Sequence, residues 1–171
     1  MAHFPLMTAH GTFIISGIER VIVPQLARSF GIFFTSEELR GRNFFGAKII
    51  PSRGAWIELE TDIDGAIYVR IDRKRKFPVT ALLRILGCKS EAEVFALFAH
   101  LPMAEAHLKA SFAKDHAKTT DEAFVEIHKR LRDGEIGSID NARDFVNSIF
   151  DKDRYDLSRV GRFRFNKRFG K

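Results

Sequence analysis

The feature that most constrains this chain is a change of period partway along it. Between residues 12 and 72, short runs rich in Ile, Val, Phe and Trp are punctuated by Gly11, Gly17, Gly46, Gly54 and Gly65. That pattern predicts strands over residues 12–16, 20–23, 31–34, 47–50, 55–60 and 66–72. Trp56, Glu58 and Glu60 alternate with Ile57 and Leu59 as a half-buried strand requires. The Asp62-Ile63-Asp64-Gly65 stretch then predicts a tight turn into the next strand. Asp62 and Asp64 sit where a turn selects Asp in any case, so they are not read as a catalytic carboxylate pair.

From Pro78 onward the period becomes helical. Residues 79–86 form an apolar segment stopped by Gly87. Ser90 with Glu93, and Thr119 with Glu122, are capping-box pairs, each preceding an apolar stripe. Gly134 is expected to end the second of these helices, and a further helix is expected over residues 139–150. Leu101 and Pro102 are read as a helix break. Near the end, Val160, Phe163 and Phe165 among Arg162, Arg164 and Lys167 predict a return to strand. Strands and a hairpin, then several short helices, then a final strand, make an α+β fold.

Charge narrows the function classes. The 171 residues carry a net charge of +6, concentrated in two places. Residues 70–76 hold five cations against Asp72, and residues 154–171 hold seven against Asp156, so the remaining body is mildly acidic. Clustered cations of this kind suit a polyanion, although each cluster alone also fits a solvated face.

Self-sufficient chemistry is not evident. The six histidines lack a zinc-ligand spacing, and the single cysteine, Cys88, has no evident base and cannot form an internal disulfide. Serine-hydrolase elbows and phosphate loops are missing. No apolar run approaches the ~18 residues of a membrane span, and no signal peptide is read at the N-terminus, so a cytoplasmic protein is expected. Trp56, beside Arg53 and Gly54, fits two readings: a core residue, or a face on which an unpaired base stacks.

Several stretches resemble the bacterial RNA polymerase β-subunit family. They are Pro5-Leu6-Met7-Thr8 with Gly11-Thr12-Phe13-Ile14-Ile15, Gly17 with Glu19-Arg20-Val21-Ile22-Val23, and Gln25-Leu26 with Arg28-Ser29. Ala47-Lys48-Ile49-Ile50-Pro51 with Arg53-Gly54 and Trp56 follows, then Val69 through Lys76 with Pro78 and Leu82-Leu83-Arg84. Asp153-Arg154-Tyr155-Asp156-Leu157-Ser158 with Val160-Gly161-Arg162 and Phe165-Asn166 closes the series. The sequence departs from the family's pattern at Pro24 and Phe30.

This resemblance implies a fragment of that subunit: residues 1–28 as strands linking to a protrusion, 29–155 as a lobe domain, and 156–171 as the return strand. It implies a share in DNA-templated RNA synthesis from nucleoside triphosphates by a multisubunit nucleotidyltransferase. The catalytic aspartates and magnesium would lie on the β′ subunit, leaving no catalytic group, metal ligand or cofactor here. Trp56 would face the non-template strand near the downstream fork. Arg28, Asp156 and Arg162 would engage that strand. Arg73, Lys74, Arg75 and Lys76 would flank the downstream duplex, and Val23 would lie near the rifamycin region. Partners would be DNA, the β′, α and σ subunits and transcription factors, with no membrane, in the nucleoid. Two other readings remain open at this point. One is a protein-interaction module acting by strand addition at residues 31–34 and 47–50. The other is a free-standing nucleic-acid-binding protein.

Overall fold

The computed structural model describes residues 3–39, 41–133 and 137–171. A two-stranded ribbon, β1 (Phe13–Ile15) with β2 (Ile18–Arg20), stands before a five-stranded antiparallel meander. The meander runs β3 (Gly31–Leu39), β4 (Arg42–Ile50), β5 (Ile57–Thr61), β6 (Ile67–Ile71) and β7 (Phe77–Pro78) in sequential order. Six helices follow: α1 (Val79–Ile85), α2 (Glu91–Phe98), α3 (Ala104–Lys114), α4 (Thr120–Leu131), α5 (Ile139–Ile149) and α6 (Ser158–Phe169). The fold is α+β.

Register explains why this sheet buries one face. Ile32, Ile49, Ile57 and Ile71 form one cross-strand row, and Phe34, Ala47, Leu59, Val69 and Phe77 another on the same side. Val69, Ile71 and Phe77 are fully buried there against α1, α4 and α5, through Ala81, Leu82, Phe124, Ile127 and Val146. The intervening rows place Lys48, Glu58, Glu60 and Arg70 on the other side, where Lys48 Nζ meets Glu58 Oε1 at 2.8 Å.

The capping residues behave as their sequence dictates. Ser90 accepts from the Glu93 amide, and Thr119 and Glu122 close a full capping box. Expected boundaries move elsewhere. β3 and β4 each run to nine residues, because a hairpin turning at Gly41 keeps pairing past the core through Glu37, Glu38, Arg42 and Asn43. β4 lies between β3 and β5, so residues 47–50 are not an edge, and strand addition there is ruled out. The helix α3 has little sequence signal: it is alanine-rich, has no side-chain N-cap and buries only Leu108 and Ser111. Polar links dock it instead: Ser111 Oγ accepts from the Ile67 amide at 2.9 Å, and His107 Nδ1 lies 2.7 Å from the Gly65 carbonyl. The Gly134 stop lies outside the described residues.

The expected final strand over residues 156–171 is instead the helix α6. Alternation over six residues cannot separate a strand from a helix when Arg, Lys and Phe, all compatible with a helix, fill the segment. Asp156 Oδ1 accepts from the Ser158 amide at 3.0 Å at its start, and Gly170 at φ 65° ends it. Phe165 and Phe169, one turn apart, sit 4.7 Å between ring centroids.

One buried ion pair ties the helical layer together. The Arg84 and Asp115 side chains are 5% and 2% exposed, with Nε 3.9 Å from Oδ2. Thr80 Oγ1 donates to Oδ2, and the Ala117 amide donates to Oδ1 at 2.9 Å. Removing the carboxylate leaves a guanidinium buried without its counter-charge. Asp115→Ala is therefore expected to lower unfolding free energy by about 3–5 kcal/mol, measured by urea denaturation.

Candidate nucleic-acid interface

Three main-chain hydrogen bonds join the loop after β4 to the segment before α6. The Ser52 and Arg53 amides donate to the Asp156 carbonyl at 2.8 and 3.2 Å, and the Asp156 amide donates to the Arg53 carbonyl at 2.9 Å. Gly54 makes this approach possible. It sits at φ +110°, and a Cβ there would meet Tyr155 Cδ2 at 2.8 Å and the Arg154 carbonyl oxygen at 2.9 Å. Burial pushes the Tyr155 hydroxyl above its ordinary pKa, and the charge of Arg162 partly offsets that.

Trp56 stands at the start of β5, half-buried and outside the hydrophobic cluster. Its amide donates to Asp72 Oδ1 at 2.9 Å, and the Asp72 amide donates to its carbonyl at 2.9 Å. Asp72 and Arg73 both adopt left-handed backbone, at φ 48° and 59°. That sharp turn after β6 carries the Arg73 guanidinium over the indole, 5.5 Å from its centroid. A shallow cavity of about 240 Å³ opens between Trp56, Asp72 and Arg73. An indole backed by a cation and open to solvent is a flat, charged platform for a planar ligand.

The other cations of that turn are differently occupied. Lys74 Nζ lies 2.9 Å from Asp133 Oδ2, and this partner holds the Asp133 carboxyl below its ordinary range. Lys76 Nζ lies 3.3 Å from Glu60 Oε1 and 4.5 Å from the centre of the Tyr68 ring. Arg75 forms no ion pair among the described residues. These pairs are exposed and screened, so they constrain the lysines only loosely.

Arg28, Asp156, Arg162 and Val23 are all exposed. Asp156 lies in the main-chain clasp just before α6, and Arg162 lies in the second turn of that helix. Asp156 Oδ1 is engaged by the Ser158 amide, leaving Oδ2 without a partner among the described residues. Arg28 comes to this side by another route, its guanidinium 5.3 Å from the Phe33 centroid on β3. Val23 lies in an irregular stretch with Val21 and Ile22, each 66% exposed.

Sequence reasoning missed the partners of these residues. Phe33 and Phe34 on β3, and Arg164, Lys167 and Arg168 on α6, line one groove. The cation count flags the segment, but a strand reading sends alternate side chains to opposite faces, whereas the helix gathers positions 164, 167 and 168 on one.

Comparison with known proteins adds independent findings. The family described as RNA polymerase Rpb2, domain 2, matches residues 28–171. The chain is 51% identical over 170 residues to a DNA-directed RNA polymerase subunit beta of Clostridium kluyveri, a match covering 98% of the chain and 14% of that relative. The subunit beta of Clostridium botulinum strain Hall matches with the same identity and coverage. The chain thus spans about a seventh of the length of these relatives.

Because a side chain at Gly54 collides with main-chain atoms, Gly54→Ala is expected to loosen the clasp by about 1–3 kcal/mol. Amide exchange at Asp156 should accelerate accordingly while exchange in β6 stays slow, as read by hydrogen-exchange mass spectrometry.

Proposed function

This chain belongs to the RNA polymerase β-subunit family, and from that premise we propose that it forms part of a DNA cleft wall and grips non-template DNA near the downstream fork. The relatives are named as subunits of DNA-directed RNA polymerase. Within such an assembly the chain would serve RNA synthesis from nucleoside triphosphates on a DNA template, in the nucleoid, beside the β′, α and σ subunits. The chemical step would belong to β′ and its magnesium, and this chain's residues would bind and orient DNA. Residues 1–28 and 156–171 would connect it to a protrusion, the latter through the helix α6.

The observation that carries this reading is the Trp56–Arg73 platform at the end of the sheet. A base leaving the duplex loses its stacking neighbours, and an indole face replaces one of them. Arg73 supplies positive charge next to the phosphate that must accompany such a base. The unengaged Oδ2 of Asp156 accepts from an exocyclic amino group, and Arg162 offers a forked donor. Arg75, with Lys74 and Lys76 released from weak exposed pairs, supplies phosphate contacts on the duplex side.

A second reading has one observation of its own. The segment over residues 3–28 presents Phe4, Leu6, Met7, Ile14, Ile18, Val21, Ile22, Val23 and Leu26 to solvent, with Leu6 at 92% exposure. So much apolar surface on a short ribbon suits contact with another polypeptide surface, such as a polymerase subunit or a transcription factor.

The 171-residue chain should bind forked DNA more tightly than the same sequence fully paired. Trp56→Ala is expected to remove about 1–3 kcal/mol of that preference while leaving most salt-dependent affinity intact, by fluorescence anisotropy. Full fork preference in the mutant would refute the stacking role.

A further inference from the structure

The groove between β3 and α6 is separate in its residues from the Trp56 platform. It holds a volume of about 420 Å³ lined by Ile32, Phe33, Phe34, Arg164, Lys167 and Arg168. We infer that this groove is a track for the sugar–phosphate backbone of single-stranded nucleic acid, with Arg164, Lys167 and Arg168 as its phosphate ligands. The inference takes its ligand class from the proposed function but stands on residues that the platform does not use.

Charge is the first support. The helix α6 and its end carry Arg159, Arg162, Arg164, Lys167, Arg168 and Lys171 with no acidic residue among them. None of these cations forms an ion pair among the described residues, whereas Lys48, Lys74, Lys76, Lys109, Lys114 and Arg130 all do. Unpaired cations along one helix face repel one another, and a polyanion removes that repulsion. Arg164 and Arg168 stand one turn apart on α6, about 6 Å along its axis, with Lys167 between them, a spacing suited to consecutive phosphates.

Aromatic geometry is the second support, and it favours nucleic acid over an acidic peptide. The Arg168 guanidinium lies 5.2 Å from the Phe34 centroid, and Arg28 lies 5.3 Å from that of Phe33. Phe34 packs edge-on against Phe169 at 6.2 Å. Each guanidinium is therefore pre-oriented on a ring, its fork free for bidentate phosphate contact. Phe34 and Phe169 remain about half exposed beside those forks, where sugars and bases pack.

The third support is that the groove is built on a rigid junction. Phe30 Cβ would lie 3.2 Å from a Cβ placed at Gly161, and Arg164 Cβ lies 3.3 Å from one placed at Gly31, which has φ +136°. Two glycines let α6 seat directly on the first strand of the sheet, so the cations are held over the aromatic rings.

The test compares the 171-residue chain with two triple variants of equal charge, using fluorescein-labelled oligothymidylate in anisotropy titrations across a salt series. One variant is Arg164→Gln, Lys167→Gln, Arg168→Gln; the other is Lys109→Gln, Lys118→Gln, Lys129→Gln, on and before other helices. The parent should bind, and the groove variant should lose about 2 from the slope of log affinity against log salt, at about 0.7 per single-strand phosphate. The control variant should keep the parent slope, and circular dichroism melts should coincide for all three. Equal losses in both variants, an unchanged slope in the groove variant, absence of binding by the parent, or equal competition by polyglutamate would each overturn the proposal. Trp56→Ala in the same titration should keep the parent slope, so failure of the platform reading and failure of the groove reading are distinguishable.

Discussion

The clasp between residues 52–53 and Asp156 is the constraint on which the rest of the arrangement depends. It joins segments about a hundred positions apart, after all of the intervening strands and five helices have folded back across the sheet. Main-chain pairing of that kind needs no particular side chain, but it does need Gly54, because any Cβ there strikes the opposing backbone. Once the clasp is made, Leu157 is buried, Asp156 receives the first amide of α6, and the helix is aimed at the start of β3. The start of β5 with Trp56, the Asp156 carboxylate and the start of α6 thus lie at one end of the sheet, and α6 runs on along β3 as far as Phe34.

Positive charge in this fold is of two physically different kinds. Lys74 and Lys76 have carboxylate neighbours, so part of their field is cancelled at short range. The α6 cations have no ion-pair partner among the described residues, whereas Lys114 and Arg143 also pair, with Asp64 and Asp121. At physiological ionic strength a Debye length of about 8 Å confines each field to its own neighbourhood. Net charge alone therefore misstates the molecule: the cations of α6 are unpaired among the described residues, and those of the turn after β6 are partly neutralised by exposed pairs.

How much of this was legible in the sequence depended on how local the cause was. Capping boxes at Ser90 and Thr119 are local, and they marked their helices correctly. The alternation across β5 also named the core face, since Ile57 is buried and Leu59 packs against the core. The residue blocks of the β-subunit family identified the chain's relatives. What stayed hidden were non-local effects. The helix α3 is held by Ser111 and His107 reaching the sheet, and no periodicity reports that. The helix α6 alternates as a strand would, and only its seat on Gly31 and its cap at Asp156 make it helical in place. Trp56 could be singled out but not assigned to surface or core, because that depended on Asp72 gripping its backbone from the far end of a hairpin.

The proposed division of labour would follow a physical rule for nucleic-acid surfaces: phosphate contacts set position and strength, and contacts to bases set selectivity. A cation ladder on a helix discriminates little between sequences, since every nucleotide presents the same phosphate. An indole face discriminates between paired and unpaired bases, since only an unpaired base exposes its face, and does so without reading its identity. On the proposed reading, placing the two on separate elements, α6 and the open end of the β5–β6 hairpin, would let one hold a strand while the other samples whether it is open. The clasp at Asp156 joins the loop that leads to Trp56 directly to the segment that starts α6. A single mixed site would tie strength to selectivity. Two sites on one junction would allow a strand to be gripped weakly at many phosphates and checked at one base.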